Sequence, residues 1–349
     1  MSLPAHFRDI ISGSRRGLVG PSARAVLAAL EPAYGWVVRR KNRRFDSDHS
    51  AVVRVDAPVI SVGNLTVGGT GKTPLVCWLS KWLMEQGKQV TLISRGYGSR
   101  KGPNDEALEL AARLPDVPHL QNPDRITAAR QALEQNPNQV LLLDDAFQHR
   151  RIARDLDIVL LDALEPFGYG HLLPRGLLRE PVEGLARAHV VGLSRSDAVS
   201  ASRREEIRRQ VTPLSPAAIW IELKHQPTGL LDSENGQIDL SFVRGKRVAA
   251  FCGIGNPPGF QHTLNQCGVE VAGSREFPDH SAYAPMELRE LEVWVSRQRG
   301  IAAILCTHKD LVKIPRKELA GVPLLAVDVE LAIVKGREEF EQRLREAVS

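Results

Sequence analysis

Residues 63–73 read Gly63-Asn-Leu-Thr-Val-Gly-Gly-Thr-Gly-Lys-Thr73. The apolar run Pro58–Gly63 before them reads as a strand, and Thr73–Glu85 after them reads as a helix. A glycine-rich turn between strand and helix lets successive backbone N–H groups approach phosphate oxygens closely. Lys72 then stands where a cation reaches β- and γ-phosphates, and Thr73 where a hydroxyl meets magnesium. Gly68, Gly69 and Gly71 supply the bare backbone. The standard pattern has a further glycine five residues before the last one, and here that position is Thr66. The expected nucleotide-binding residues are therefore Thr66, Val67, Gly68, Gly69, Thr70, Gly71, Lys72 and Thr73, with ATP and Mg²⁺ as the implied ligands.

Outward from this loop, short apolar runs alternate with helical patterns. Strands are expected at Val59–Val62, Val90–Ser94, Val140–Leu143, Ile158–Leu161 and Val190–Leu193, with helices at Thr73–Gln86 and Pro123–Gln135 between them. Near-continuous apolar strands separated by helices imply a parallel sheet covered on both faces. Pro213–Pro216 looks like a break, followed by strands at Ala218–Leu223, Arg247–Phe251, Ala302–Cys306 and Leu324–Val327. The fold class is thus α/β, a P-loop NTPase-like parallel sheet flanked by helices, with a second smaller α/β lobe and an N-terminal amphipathic helical segment. Three parts are expected: residues 1–54, a nucleotide-binding domain at 55–215, and a lobe at 216–349 closing over the active site.

Composition bounds the function. Apolar residues make up 43% and charged residues 25% of the 349, which is ordinary for a water-soluble globular chain. No apolar run approaches the roughly 20 residues that span a bilayer. Four scattered cysteines form no C-x-x-C pair, which points to buried, reduced thiols and a cytoplasmic setting. The net charge of +5 is concentrated at the N-terminus, where residues 1–54 hold ten Lys/Arg against four Asp/Glu. That confinement speaks against nucleic acid, whose footprint spreads over a working face. Phe7, Leu18, Val26, Leu30, Trp36 and Val37 are interleaved there with arginines. Such a segment either lies on an anionic membrane surface or packs on the body with a solvated basic face.

A phosphate loop needs an acidic partner for its metal. The apolar strand Val140–Leu143 ends in Asp144-Asp145, at the strand end where α/β sheets bind ligands. The loop itself is similar to the compact variant of the ParA-like and nitrogenase-iron-protein-like ATPases, although Val67 replaces that group's signature lysine. The string Thr307-His-Lys-Asp310 closes a late strand, a place from which it could contact adenine. His119, His171 and His189 lack metal-ligand spacing and read as structural.

Five strings in order carry a fuller resemblance: Ile60–Thr73, Ser94-Arg-Gly-Tyr-Gly98, Leu143-Asp-Asp-Ala-Phe-Gln-His-Arg150, Leu173-Pro-Arg-Gly-Leu-Leu-Arg-Glu-Pro181 and Phe277-Pro-Asp-His280. From about Pro58 to the C-terminus the chain resembles the tetraacyldisaccharide 4′-kinase family. The resemblance implies ATP- and magnesium-dependent phosphorylation of the 4′-hydroxyl of an acylated glucosamine disaccharide 1-phosphate in lipid A biosynthesis. It implies a peripheral enzyme on the cytoplasmic face of the inner membrane; no obligate protein partner is inferred. It gives Lys72, Asp105 and His280 catalytic roles, with Asp105 as base assisted by His280. Thr73, Asp144, Asp145 and Glu180 would meet the metal, and Asn64, Arg95, Arg125, Gln148, His149 and Arg179 the substrates. Two departures stand out: Asn104 replaces the glycine before the base, and the Tyr97–Asp105 loop is shorter than the family's. The competing reading is a variant P-loop ATPase acting as a nucleotide-dependent switch or assembly factor.

Overall fold

The computed structural model describes residues 5–15, 17, 19–96, 105–278 and 281–349. The chain opens with α1 (Ala5–Ser12) and α2 (Val19–Ser47). There follow β1 (Val59–Asn64), α3 (Lys72–Glu85), β2 (Gln89–Ser94), α4 (Asp105–Arg113), β3 (His119–Gln121), α5 (Arg125–Gln135) and β4 (Gln139–Asp144). Next come β5 (Leu156–Asp162), β6 (Val190–Ser194), α6 (Ala201–Val211), β7 (Ile219–Leu231), β8 (Gln237–Ile238), β9 (Arg247–Cys252) and α7 (Pro257–Gln266). The last elements are β10 (Glu270–Glu276), α8 (Pro285–Ser296), β11 (Ala303–Thr307), α9 (His308–Leu311), β12 (Glu318–Leu319), β13 (Val322–Lys335) and α10 (Arg337–Ala347).

The chain divides into two compact units, a larger one of residues 6–104, 114–224 and 333–349, and a smaller one of 1–5, 105–113 and 225–332. The division falls between Lys224 and His225, inside β7, and not at the expected 215/216. The C-terminal α10 also returns to the larger unit, and α4 is lent to the smaller one. The physical reason is that β7 and β13 are strands of 13 and 14 residues that each serve both units. A continuous strand carries no compositional break, so Pro213–Pro216 marks only the turn before β7.

In the larger unit β1 lies between β4 and β5, parallel to both. The order is β6-β5-β1-β4-β2-β3, with the first residues of β7 beside β6. β1, β4 and β5 are buried along their whole length, which is why they read as unbroken apolar runs. Ile126, Ala128, Ala129 and Ala132 of α5 cluster with Val59, Ile93, Leu141 and Leu143. Ile207 and Val211 of α6 do the same with Val159, Leu161, Val191 and Leu193. Each fully buried Leu, Ile or Val contributes about 1.5–3 kcal/mol, as an upper bound. The helix α3 packs against β1, β2 and β4, with Leu75, Leu79 and Leu83 buried. It begins one residue before the expected start, behind Gly71 in the left-handed region (φ 86). Pro74 fits in its first turn because N–H groups there have no intrahelical partner to lose.

In the smaller unit the registers give a parallel order β10-β9-β11-β13. α8 buries Leu288, Leu291 and Val295, and α7 buries Phe260 and Leu264, in two separate clusters. α4 is held through Arg113, which meets Asp328 of β13 at 2.9 Å and Glu109 at 3.4 Å. The Thr307–Asp310 string proves to be an internal brace. Its Asp310 carboxylate is fully buried and accepts from the Tyr283 hydroxyl (2.8 Å), the Thr307 hydroxyl (2.6 Å) and the Gly253 amide (3.1 Å). All four cysteines are buried and unbridged.

His308 is 3% exposed, and its Nδ1 has no hydrogen-bond partner. Burial, with Arg113 adding to it, pushes its pKa down to about 4. The unfolded chain therefore binds the proton more readily than the fold does. The neutral imidazole's contribution to stability is complete above about pH 6.5 and is lost as pH falls toward about 4. Thermal melts should show the melting temperature falling across that window, with a shallower fall in His308→Gln. An identical pH dependence in the variant would rule this group out as a cause.

Candidate active site

The register of the central strands builds the site. Val62 of β1 pairs with Asp144 of β4, so the carboxylate lies at the strand end from which the phosphate loop departs. The loop runs from Leu65 into the N-terminus of α3, where no side chain caps the first turn. Its free N–H groups and the helix dipole together make an anion site. Both Gly68 (φ 116) and Gly71 (φ 86) hold backbone conformations that a side chain would strain.

The loop is tied down on several sides. The Val67 amide donates to the Leu177 carbonyl at 2.9 Å, and Thr66 bridges Leu178. Asn64, fully buried, donates through Nδ2 to Thr70 Oγ1 (3.0 Å) and accepts through Oδ1 from Arg179 (3.2 Å). Asn64, expected to meet substrate, engages its amide with the loop and with Arg179. The segment Leu177–Arg179 thus acts as a splint, and Arg179 extends from it into the site.

Two cations converge on Asp145. Arg179 Nη1 is 2.6 Å from its Oδ1, and Lys72 Nζ is 3.6 Å from the same atom. Burial acts to raise the pKa of Asp145, but Lys72, Arg179 and Arg125 outweigh it and hold the carboxyl well below the usual carboxylate range. Arg125, the buried first residue of α5, has its own pKa lowered by burial, with Asp145 and Asp144 acting against that. Lys41 of α2 is lowered by burial and by the neighbouring Arg95, Arg179 and Arg150, with Glu180 opposing. The exposed Arg95 therefore belongs to the same basin. Crowded cations that depress one another's charged forms mark a place that a polyanion stabilises. His149 lies among them, and burial followed by Arg125 and Arg154 pushes its pKa down to about 4, so it stays neutral at physiological pH.

Glu180 lies buried among donors from three segments. It is 1% exposed, and both oxygens are engaged: Oε1 accepts from Gln148 (3.0 Å), and Oε2 from Asn42 (3.1 Å) and Arg187 (2.8 Å). Gly184 packs so close that a Cβ there would stand 2.6 Å from Oε2. Among the described residues no group of three His, Cys, Asp or Glu gathers around a common point. Glu180 ties together α2, the Gln148 turn and the Arg187 turn. Gln148 also donates to the Asn64 carbonyl at 2.8 Å, joining the brace to the phosphate loop.

Among the described residues the structure brings together Lys72, Asp145, Arg179, Asn64, Gln148 and Glu180 around the loop, with Asp144 and Arg125 alongside. His280 lies outside the described residues, and Asp105 is described only as the first backbone position of α4. Sequence reasoning missed Tyr34, whose hydroxyl donates to the Arg179 carbonyl at 2.9 Å, and Asn42 and Arg187 on Glu180. It also missed the Arg195–Asp162 pair beside Gly69. Asp162 had a readable signal, since it ends an apolar strand as Asp144 does. Asn42 had none, because its partner Glu180 is 138 residues away, and Arg187, seven residues from Glu180, lies in a turn whose geometry no local pattern announces.

Fold and site together define a P-loop phosphotransferase. The sequence model of the Tetraacyldisaccharide-1-P 4′-kinase family matches residues 23–349. A tetraacyldisaccharide 4′-kinase of Anaeromyxobacter sp. (strain K) is 38% identical over 96% of this chain and 93% of its own. That of Geobacter sulfurreducens is 35% identical over 95% and 96%. The crystal structure of LpxK from Aquifex aeolicus in complex with ATP aligns with a TM-score of 0.72 and 26% identity, covering 94% of this chain and all of that one. The chain belongs to the tetraacyldisaccharide 4′-kinase family. It is a kinase of lipid A biosynthesis, and the reading as a switch or assembly ATPase falls away.

Glu180→Gln places an amide donor among three existing donors, so urea denaturation should show about 1–3 kcal/mol lost. Asn42→Ala should show a smaller loss. Unchanged stability in Glu180→Gln, together with a higher magnesium requirement, would return Glu180 to the metal.

Proposed function

We propose that the chain transfers the γ-phosphoryl group of ATP to the 4′-hydroxyl of a tetraacylated disaccharide 1-phosphate while resting on the cytoplasmic surface of the membrane that holds this lipid. The observation that carries the donor half is the uncapped N-terminus of α3 at the end of β1, with Lys72 and Arg179 poised on Asp145. In the ligand-free arrangement Asp145 serves as the cations' partner. The triphosphate takes its place beside Lys72, and Arg179 follows or remains to fix Asp145. Thr73, in the first turn of α3, and Asp144 offer hard oxygens of the kind magnesium prefers. Asp145 is their neighbour, whereas both oxygens of Glu180 are hydrogen-bonded to other side chains. Bound there, magnesium would neutralise phosphate charge.

The acceptor hydroxyl needs a base because its proton is held far above neutral pH. Asp105, assisted by His280, is the proposed base, following the family resemblance. Arg125, Arg95 and Lys41 fit the anionic lipid headgroup, and neutral His149 offers a donor or acceptor among them.

α2 supports the membrane half of the reading. Its inner side is bound to the body through Glu31 to His171, Tyr34 to Arg179 and Asn42 to Glu180. Outward, Val26, Leu30 and Val37 are 62%, 53% and 56% exposed and share a face at spacings of four and seven residues. Trp36, also exposed, has Arg40 over its ring at 5.6 Å. Among the described residues no helix is long and apolar enough to cross a membrane, so α2 would lie along the interface with its arginines toward anionic headgroups.

Purified protein should phosphorylate a tetraacyl disaccharide 1-phosphate in detergent with labelled ATP. Lys72→Ala should lower kcat/KM roughly 10²–10³-fold, and Asp105→Ala roughly 10²–10⁴-fold. Failure to label this lipid under conditions where ATP binds would refute the substrate. Vesicle flotation tests the surface separately. Vesicles containing anionic phospholipid should carry the protein, and Val26→Ser/Leu30→Ser/Val37→Ser should leave most of it behind. Equal flotation of both proteins would refute this docking face.

A further inference from the structure

Arg195 follows β6 and is 6% exposed, and among non-glycine residues it is one of the few with positive φ (53). Its guanidinium spans two partners. Nη1 meets Asp162 Oδ2 at 2.7 Å, and Nη2 donates to the carbonyl of Gly69 at 3.1 Å. Asp162 closes β5, opposite Ser194 in the register, and its other oxygen accepts from the Leu164 amide at 3.1 Å. The turn that carries Arg195 is fixed in its own right. Ser196 donates to the Leu223 carbonyl at 3.0 Å, and Arg204 donates to the carbonyls of Ser196 and Val199.

A buried ion pair adds little net stability over apolar residues of the same shape, and a left-handed arginine is strained. What this pair does contribute is a fixed direction. Gly68 and Gly69 are adjacent, so the peptide groups between them and Thr70 can rotate more freely than any others in the loop. Rotation of the Gly69–Thr70 peptide would exchange a carbonyl for an N–H on the face that phosphate approaches. Arg195 ties that carbonyl to its buried pair with Asp162, and on the other side of the same peptide the Thr70 amide donates to Gly68 O at 3.1 Å. The forked, permanently charged guanidinium suits the task, since it can hold a carboxylate and a carbonyl at once.

We infer that Arg195, anchored by Asp162, is a positioning residue that locks the Gly69–Thr70 peptide so that the phosphate loop is shaped for ATP before ATP arrives. The inference rests on the reading of the loop as the ATP site. It assigns Arg195 no contact with the reacting atoms.

The test is steady-state kinetics of Arg195→Met, Arg195→Lys and Asp162→Asn, varying ATP and lipid separately, with melting curves at increasing ATP. Arg195→Met should raise KM for ATP at least tenfold while KM for the lipid stays within about twofold. Its ATP-induced rise in melting temperature should shrink. Arg195→Lys, which can reach one partner but not both, should fall between wild type and Arg195→Met. Asp162→Asn should move KM for ATP in the same direction. Should Arg195→Met fail to fold, Arg195→Lys carries the decision through the same ratio of KM values. An unchanged KM for ATP in a folded variant, or equal rises in both KM values, would overturn the assignment. If wild-type protein fails to phosphorylate the lipid, the substrate reading falls, and the ATP-dependent melting of the same variants still decides the role of Arg195.

Discussion

Lys72 and Arg179 meet on one oxygen of Asp145, and most of the site is arranged so that they can. A phosphate loop has to gather positive charge and bare N–H groups in one place before any anion is there to justify them. Left alone, such a cluster would repel itself or collapse onto the nearest carbonyl. Asp145 neutralises it locally, its half-buried carboxylate accepting from Arg179 at 2.6 Å with Lys72 at 3.6 Å from the same oxygen. The same economy appears at Arg195 and Asp162, where a buried pair secures backbone direction.

The acidic residues near the loop divide by how many of their oxygens the protein has already taken. Asp144, at the end of β4, sits beside Val62 and the loop. Asp145 is shared between Lys72 and Arg179. Glu180 is committed on both oxygens to Asn42, Gln148 and Arg187. Similar chemistry in sequence therefore meets three different surroundings, set by the donors around each carboxylate.

α2 joins two environments that sequence patterning cannot separate. Its residues are apolar and basic all round, so periodicity shows a helix with two candidate faces. Tyr34, Asn42 and Glu31 turn toward the body because partners from the 171–180 segment await them. Val26, Leu30 and Val37 face outward because nothing in the described body covers them. The helix that braces Glu180 on one side and presents apolar surface on the other is joined to the phosphate loop through three hydrogen bonds, Asn42 to Glu180, Gln148 to Glu180 and Gln148 to the Asn64 carbonyl.

The parallel α/β class, the phosphate loop and the strand that ends in Asp144-Asp145 were legible from local chemistry. Glycine spacing, unbroken apolar runs and a Gly-Lys-Thr string depend on a few neighbouring residues and survive without knowledge of the rest. The unit boundaries were not legible, since β7 and β13 pass through them without a change in composition. Nor was the inward commitment of Asn64 and Glu180, or the clamp of Arg195 on Gly69. Each of those depends on a partner dozens of residues away, and only the packed sheet brings such partners within hydrogen-bond range. The sequence by itself determined which anion the loop would hold. Tertiary structure decided which side chains remain free to meet it, because burial forces every other charge and amide to be satisfied from within.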